Sequence, residues 1–193
     1  MVKSMNGANN ILRFNTREQW RRWLQDNYDK ESGIWFVFPL KSSNESAVSY
    51  NDAVEEALCF GWIDSTVKAL DKNHKIQRFS PRNPKSGYSQ ANKERLYWLV
   101  ERGMICPNIM ESVSQILSED FIYPEDIVKA IKSDAAAWVN FQQFSDSYKR
   151  IRIAYIEAAR KRPDEYKKRL DSFINKTRKG LFIPGYGGID KYY

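Results

Sequence analysis

Apolar positions recur along the chain at two periods, and these predict most of its elements. Between Thr16 and Tyr28, Trp20, Trp23 and Leu24 return at i, i+3 and i+4. This predicts a helix with Thr16 as its N-cap and Glu18 near its first turn. Asn27 and the 29–33 stretch end it. Ile34-Trp35-Phe36-Val37-Phe38 is short, aromatic and β-branched, and predicts a buried strand closed by Pro39. Lys41 to Ala47 reads as a polar loop. Ser49 then caps a second helix, with Tyr50, Ala53, Val54, Ala57 and Leu58 as its stripe and Asp52 at its start. Gly61 stops it. Trp62 to Lys68 follows as a strand, with Trp62, Asp64, Thr66 and Lys68 expected on one face and Ile63, Ser65 and Val67 on the other. Asp71 to His74 has turn chemistry, and Lys75 to Phe79 is the return strand of a hairpin.

Ser80 to Tyr88 holds two prolines and is too long for a tight turn; long ordered loops often carry function. A helix runs from Ser89 or Gln90 to Glu101, with Gly103 as its C′ residue. Pro107 to Leu117 is another, and 118–124 is a polar connection. Beyond it the pattern is helical. Glu125 to Ile131 and Asp134 to Phe144 are short pieces. A third piece is capped by Ser145 or Asp146, with Tyr148, Ile151, Tyr155 and Ala158 on one face. A fourth starts at Pro163, carries Tyr166, Leu170, Phe173, Ile174 and Thr177, and ends at Gly180. The Gly/Tyr-rich tail is loose unless docked. The expected fold is α+β: a small, mostly antiparallel sheet covered by the helices from Thr16 and Ser49, then an all-helical segment. The expected division is 1–123, 124–180 and 181–193.

Composition narrows the class. Charged residues are 28% and hydrophobic residues 42% of 193, ordinary globular values that exclude wholesale disorder. Six Trp, eleven Tyr and ten Phe supply enough large side chain for a core. No apolar run nears the ~18 residues of a membrane span, and Met1 to Asn10 lacks the apolar stretch of a secretory signal, so a cytoplasmic protein is expected. The two cysteines, Cys59 and Cys106, follow no metal or disulfide spacing, which suits a reducing compartment. One histidine argues against a multi-His metal site, and neither a metal nor a cofactor is expected. The charge is uneven. Residues 145–193 hold 13 Lys and Arg against 6 Asp and Glu, and residues 71–102 hold 8 against 3. Such excesses mark either a solvated helical face or an anionic partner.

The densest group of chemistry-bearing residues runs from Leu58 to Arg95. Asp64, beside Trp62, is either a carboxylate facing a pocket or the partner of Arg78 or Lys68, an exposed pair worth up to ~1 kcal/mol. Arg78 and Arg82, near Lys85 and Ser86, either hold a phosphate or carboxylate, or pin their loop through backbone carbonyls. Pro81 and Pro84 remove two N–H donors from that loop, which argues against a nucleotide cradle. His74 reads as an exposed turn histidine, and Cys59 as a buried inert thiol. Trp62, Tyr88 and Tyr97 either stack on a flat ligand or pack in the core. Arg160-Lys161-Arg162, Lys167-Lys168-Arg169 and Arg178-Lys179 could neutralise phosphates, but their interleaved aromatics belong to the core stripe.

The order of Ala57-Leu58-Cys59-Phe60-Gly61-Trp62-Ile63-Asp64-Ser65, Arg78-Phe79-Ser80-Pro81-Arg82, Pro84-Lys85-Ser86 and then Ser89, Asn92, Lys93 and Arg95 resembles the bacterial YdeI/OmpD-associated, or bacteriocin-protection, family. The resemblance runs from about Trp20 into the C-terminal helices. It implies stress or antimicrobial-peptide resistance and carries no reaction. The first expectation is therefore a stress-related protein that binds a small anionic or peptide-like ligand in a pocket of Trp62, Asp64, Arg78, Arg82, Lys85, Ser86 and Asn92. An enzyme with Asp64 as general base, and a nucleic-acid or protein binder using the basic C-terminal helices, are the alternatives.

Overall fold

A computed structural model of the chain describes residues 10–40 and 45–193. The expected loop at 41–47 thus lies partly outside the described residues, as does nearly all of the N-terminal segment. The fold is α+β, with 53% helix and 13% strand. The elements in order are β1 (Ile11–Leu12), α1 (Arg17–Asn27), β2 (Ile34–Pro39), α2 (Tyr50–Cys59), β3 (Trp62–Ala69), β4 (His74–Pro81), α3 (Gln90–Glu101), α4 (Pro107–Leu117), α5 (Glu125–Lys132), α6 (Ala135–Gln143), α7 (Asp146–Glu157), α8 (Pro163–Arg178) and a 3-10 helix over Tyr186–Tyr192. Thr16, Ser49 and Ser145 are the caps the sequence announces, and Asp134, read as the first residue of its helix, is a cap instead. Thr16, Ser49, Asp134 and Ser145 each accept a backbone N–H three residues on.

The residues fall into two compact units that interleave along the chain. One comprises 1–87 and 99–113, the other 88–98 and 114–193. In the first, the sheet order is β1-β2-β4-β3, antiparallel except for the short β1, which runs parallel to β2. Its aromatic core is built ring on ring. Trp20, fully buried, meets Phe36 and Phe79 edge-on at 5.2 and 5.7 Å and donates its indole N–H to the Ala53 carbonyl at 3.0 Å. Gly33 admits the chain to β2 with φ +132°, and a Cβ there would stand 2.6 Å from the Phe79 carbonyl oxygen.

The register holds one departure from strict alternation. Asp64 pairs with Phe79 but Val67 pairs with Gln77, so an irregularity between them reverses the side-chain faces. Asp64 shares the face of Phe36 and Gln77. Lys68, opposite Ile76, lies on the other face with its ammonium 4.7 Å from the Trp35 ring centre. The expectation of one common face for Asp64 and Lys68 is corrected by this irregularity.

In the second unit, α5 to α8 enclose Ile127, Ile131, Phe141, Phe144, Tyr148, Ile153, Ile156 and Phe173. Of the expected α7 stripe, Tyr148 and Ile151 are buried, but Tyr155 is 51% exposed. The Arg169 guanidinium covers its ring at 3.8 Å. α8 ends in a Schellman motif: Gly180, at φ +65°, donates to the Thr177 carbonyl and Leu181 to that of Lys176. The tail is docked. Ile189 and Tyr192 are buried against Ile151, Ala91 and Trp98, and the Tyr193 hydroxyl meets Arg152.

Candidate functional site

The structure distributes the central residues among different tasks. Trp62 is in the core, 1% exposed, with its indole N–H donating to the Tyr28 carbonyl at 2.9 Å and its ring edge-on to Trp23 at 5.7 Å. Asp64 accepts from the Tyr50 hydroxyl at 2.8 Å and from the Gln77 amide at 2.5 Å, on the sheet face covered by α2. Arg78 projects from the opposite face, one residue out of phase with Gln77, and donates to the Ser32 carbonyl at 3.1 Å. Arg82 donates to the carbonyls of Ser86 and Gly87 in its own loop, the pinning arrangement. Lys85 and Ser86 are exposed, and their backbone N–H groups close a turn on Asn83. Asn92 belongs to the second unit, where its side-chain oxygen accepts from Arg95 at 2.9 Å.

A cluster that sequence reading missed lies under α2. Glu55 and Glu56 are 0% and 1% exposed. Arg17 reaches both, at 2.8 and 2.5 Å, and also Asp52 at 2.7 Å. Arg21 reaches Glu56 at 2.7 Å and the Met104 carbonyl at 2.8 Å. The signal was present: arginines at i and i+4 of α1, carboxylates at i and i+4 of α2. Its charges are consumed internally, which gives it the character of a structural lock. Cys59 lies beside it. Burial and the neighbouring Glu56 push its thiol up to about 12, so it is a poor nucleophile.

His74 is not an exposed turn residue. It opens β4, and its ring sits between Asp71, at 2.9 Å, and Glu45, at 3.2 Å. Its ring's hydrogen bonds to the Asp71 and Glu45 carboxylates, which accept from it, raise its pKa above the ordinary 6.5.

The cleft of interest belongs to the second unit. It encloses about 520 Å³ and is lined by Gln90, Lys93 and Tyr97 of α3, the 119–123 loop and the first turns of α7. α3 presents Lys93 and Tyr97 together because four residues bring a helix back to the same face. Tyr97, 36% exposed, is held by its hydroxyl donating to the Leu117 carbonyl at 2.7 Å. Phe121 and Tyr123 pack edge to face at 4.8 Å, and burial raises the Tyr123 hydroxyl's pKa. Arg150 forms a two-pronged pair with the buried Glu94, at 2.6 and 2.8 Å, and Lys93 pairs with Glu119 at 2.5 Å. Tyr97 is one of the residues whose type suggests stacking on a flat ligand. The remaining lining residues were hidden because Phe121 and Tyr123 stand in a stretch that reads as a polar connection.

On α8 and in the turn before it the arginines are largely spent. Arg160 pairs with Asp126 and Glu157, Arg169 with Glu165, and Arg178 with Asp134. Among the described residues no helix is long and apolar enough to cross a membrane.

Comparison with known proteins adds two family matches. No curated protein matches the chain, and no solved structure does. Residues 12–112 match the family described as Domain of unknown function (DUF8412). Residues 120–180 match the family described as Bacteriocin-protection, YdeI or OmpD-Associated (OmdA). The family is the expected one, but its match falls on the C-terminal helices, while the central 57–95 residues that suggested it fall within the first match. The chain thus belongs to the DUF8412 family, whose model covers just over half of it, and carries a YdeI/OmpD-associated, bacteriocin-protection domain over 120–180.

Proposed function

We propose that the protein serves a bacteriocin-protection or stress-related role by holding a peptide-like ligand in the cleft of its second unit. The observation that carries this reading is the cleft itself: three aromatic rings and a polar rim, five of whose residues, Asp120, Phe121, Tyr123, Asp146 and Arg150, lie inside the family-matched stretch. The central set is the weaker candidate, since Trp62 is spent on the core and Arg82 on its own loop. The two free thiols support a reducing, cytoplasmic setting.

The test is a titration of isotope-labelled protein with short peptide amides, followed through backbone amide signals. The expected result is saturable shifts confined to residues 90–97, 119–123 and 146–150, abolished in Tyr97→Ala. Shifts centred on 78–86 would overturn the cleft in favour of the central loop, and no shifts would overturn both.

A second reading has its own observation. Lys161, Arg162, Lys167, Lys168, Lys176 and Lys179 form no ion pair among the described residues, which leaves α8 a basic face for nucleic acid. Its signature is DNA binding that weakens steeply with salt and survives Tyr97→Ala.

A further inference from the structure

The charge pattern of the cleft goes a step beyond its shape. Five charged side chains line it: Lys93 and Arg150 against Glu119, Asp120 and Asp146. Both cations are already committed, Arg150 to Glu94 through two hydrogen bonds and Lys93 to Glu119. The carboxylates are not equally spent. Asp120 is exposed and pairs with no cation among the described residues, and Asp146 meets Lys149 at 2.7 Å while remaining 73% exposed. An incoming anion would find no unengaged cation on the wall and would face two carboxylates. An incoming cation would find those carboxylates beside the rings of Phe121 and Tyr123, while the Tyr97 ring already faces the Arg150 guanidinium at 5.9 Å.

Resting on the cleft reading above, we propose that this site selects a cationic peptide segment, one bearing lysine or arginine side chains, with Asp120 and Asp146 as its charge partners and the aromatic rings, Tyr97 among them, as its apolar wall. This departs from the anionic ligand expected from the central arginines. It is also opposed to the chain's overall field. At a formal net charge of +7, non-specific attraction favours anions, so capture of a cation must come from local groups.

The experiment compares trilysine amide, trialanine amide and triglutamate at about 150 mM salt, where longer-range charge effects are screened. Affinity is read by calorimetry and location by amide shifts. Wild type is run beside the Asp120→Asn/Asp146→Asn double variant and Tyr97→Ala, each first checked for an unchanged melting temperature. The expected result is that trilysine amide binds tightest, moves the 119–123 and 146–150 signals, and loses about tenfold or more in affinity in the double variant. If trialanine amide binds as well as trilysine amide and both are lost in Tyr97→Ala, charge selection is overturned while the peptide reading stands. Tightest binding by triglutamate at the same signals also overturns charge selection alone. Absence of any peptide from those signals overturns both.

Discussion

The two units treat buried charge in opposite ways. In the first, Arg17 and Arg21 are wrapped around Glu55, Glu56 and Asp52 between two helices, and the cluster is closed on itself. In the second, Arg150, which lines a cleft, forms a single ion pair with the buried Glu94. The sequence offers both as charged residues on amphipathic helices. What separates them is the number of partners. An arginine that bridges three carboxylates is committed to holding helices together, and the one Arg17 nitrogen left without a partner, Nη2, is buried away from any ligand. A pair of one with one, set beside aromatic rings, leaves the neighbouring carboxylates open for recognition.

That contrast can be broken by mutation. Arg17→Ala leaves the buried Glu55 without its cation and Glu56 with Arg21 alone, and should cost about 3–5 kcal/mol in urea unfolding. Arg150→Ala leaves the buried Glu94 with the Gln90 amide at 2.7 Å but no cation, and should cost about 1.5–3 kcal/mol. Equal losses would erase the distinction between lock and wall. Tyr148→Phe probes the second unit's own core, where the hydroxyl accepts the Ile183 N–H at 3.0 Å. Removing it should cost about 1 kcal/mol in the same assay and leave peptide binding in the cleft unchanged.

The smallest effect belongs to His74. Because its folded-state pKa is raised above 6.5, its contribution to stability is fully present below about pH 6.5 and fades as pH rises through the folded value. As the chain's one histidine, its ring protons can be followed directly. The midpoint should lie above 6.5 and return to it in Asp71→Asn/Glu45→Gln, with His74→Gln flattening the melting temperature across that window. A midpoint at or below 6.5 in the native protein would sink the assignment.

Much of this architecture is legible in the sequence, because it is locally encoded. Thr16, Ser49, Asp134 and Ser145 mark helix starts through short-range hydrogen bonds, and Gly180 marks a stop through its left-handed backbone. Strand existence is equally local. Side-chain facing is not. The irregularity between Asp64 and Val67 carries no residue signature, yet it sends Lys68 and Asp64 to opposite faces and undoes the expected partnership. The cleft was harder still. Its lining comes from α3, a loop and α7, far apart in the chain, and its loop aromatics Phe121 and Tyr123 lie outside any periodic pattern. The central residues drew notice because they are adjacent in sequence, and adjacency there serves packing and loop closure.

The interleaving of the two units sets a rule for how such a protein can be inherited. A recombination joint between the two family-matched stretches, at 113–119, would deliver α5 to α8 without the 88–98 strip that supplies Trp98 and Ala91 to cover Ile151, Ile189 and Tyr192. It would also take away Glu94, the partner of Arg150, and three of the cleft's nine lining residues, Gln90, Lys93 and Tyr97. The bacteriocin-protection stretch of this chain is therefore no free-standing cassette: a gene fragment that moves it intact must carry the strip along, or supply a helix of the same face from its new neighbour.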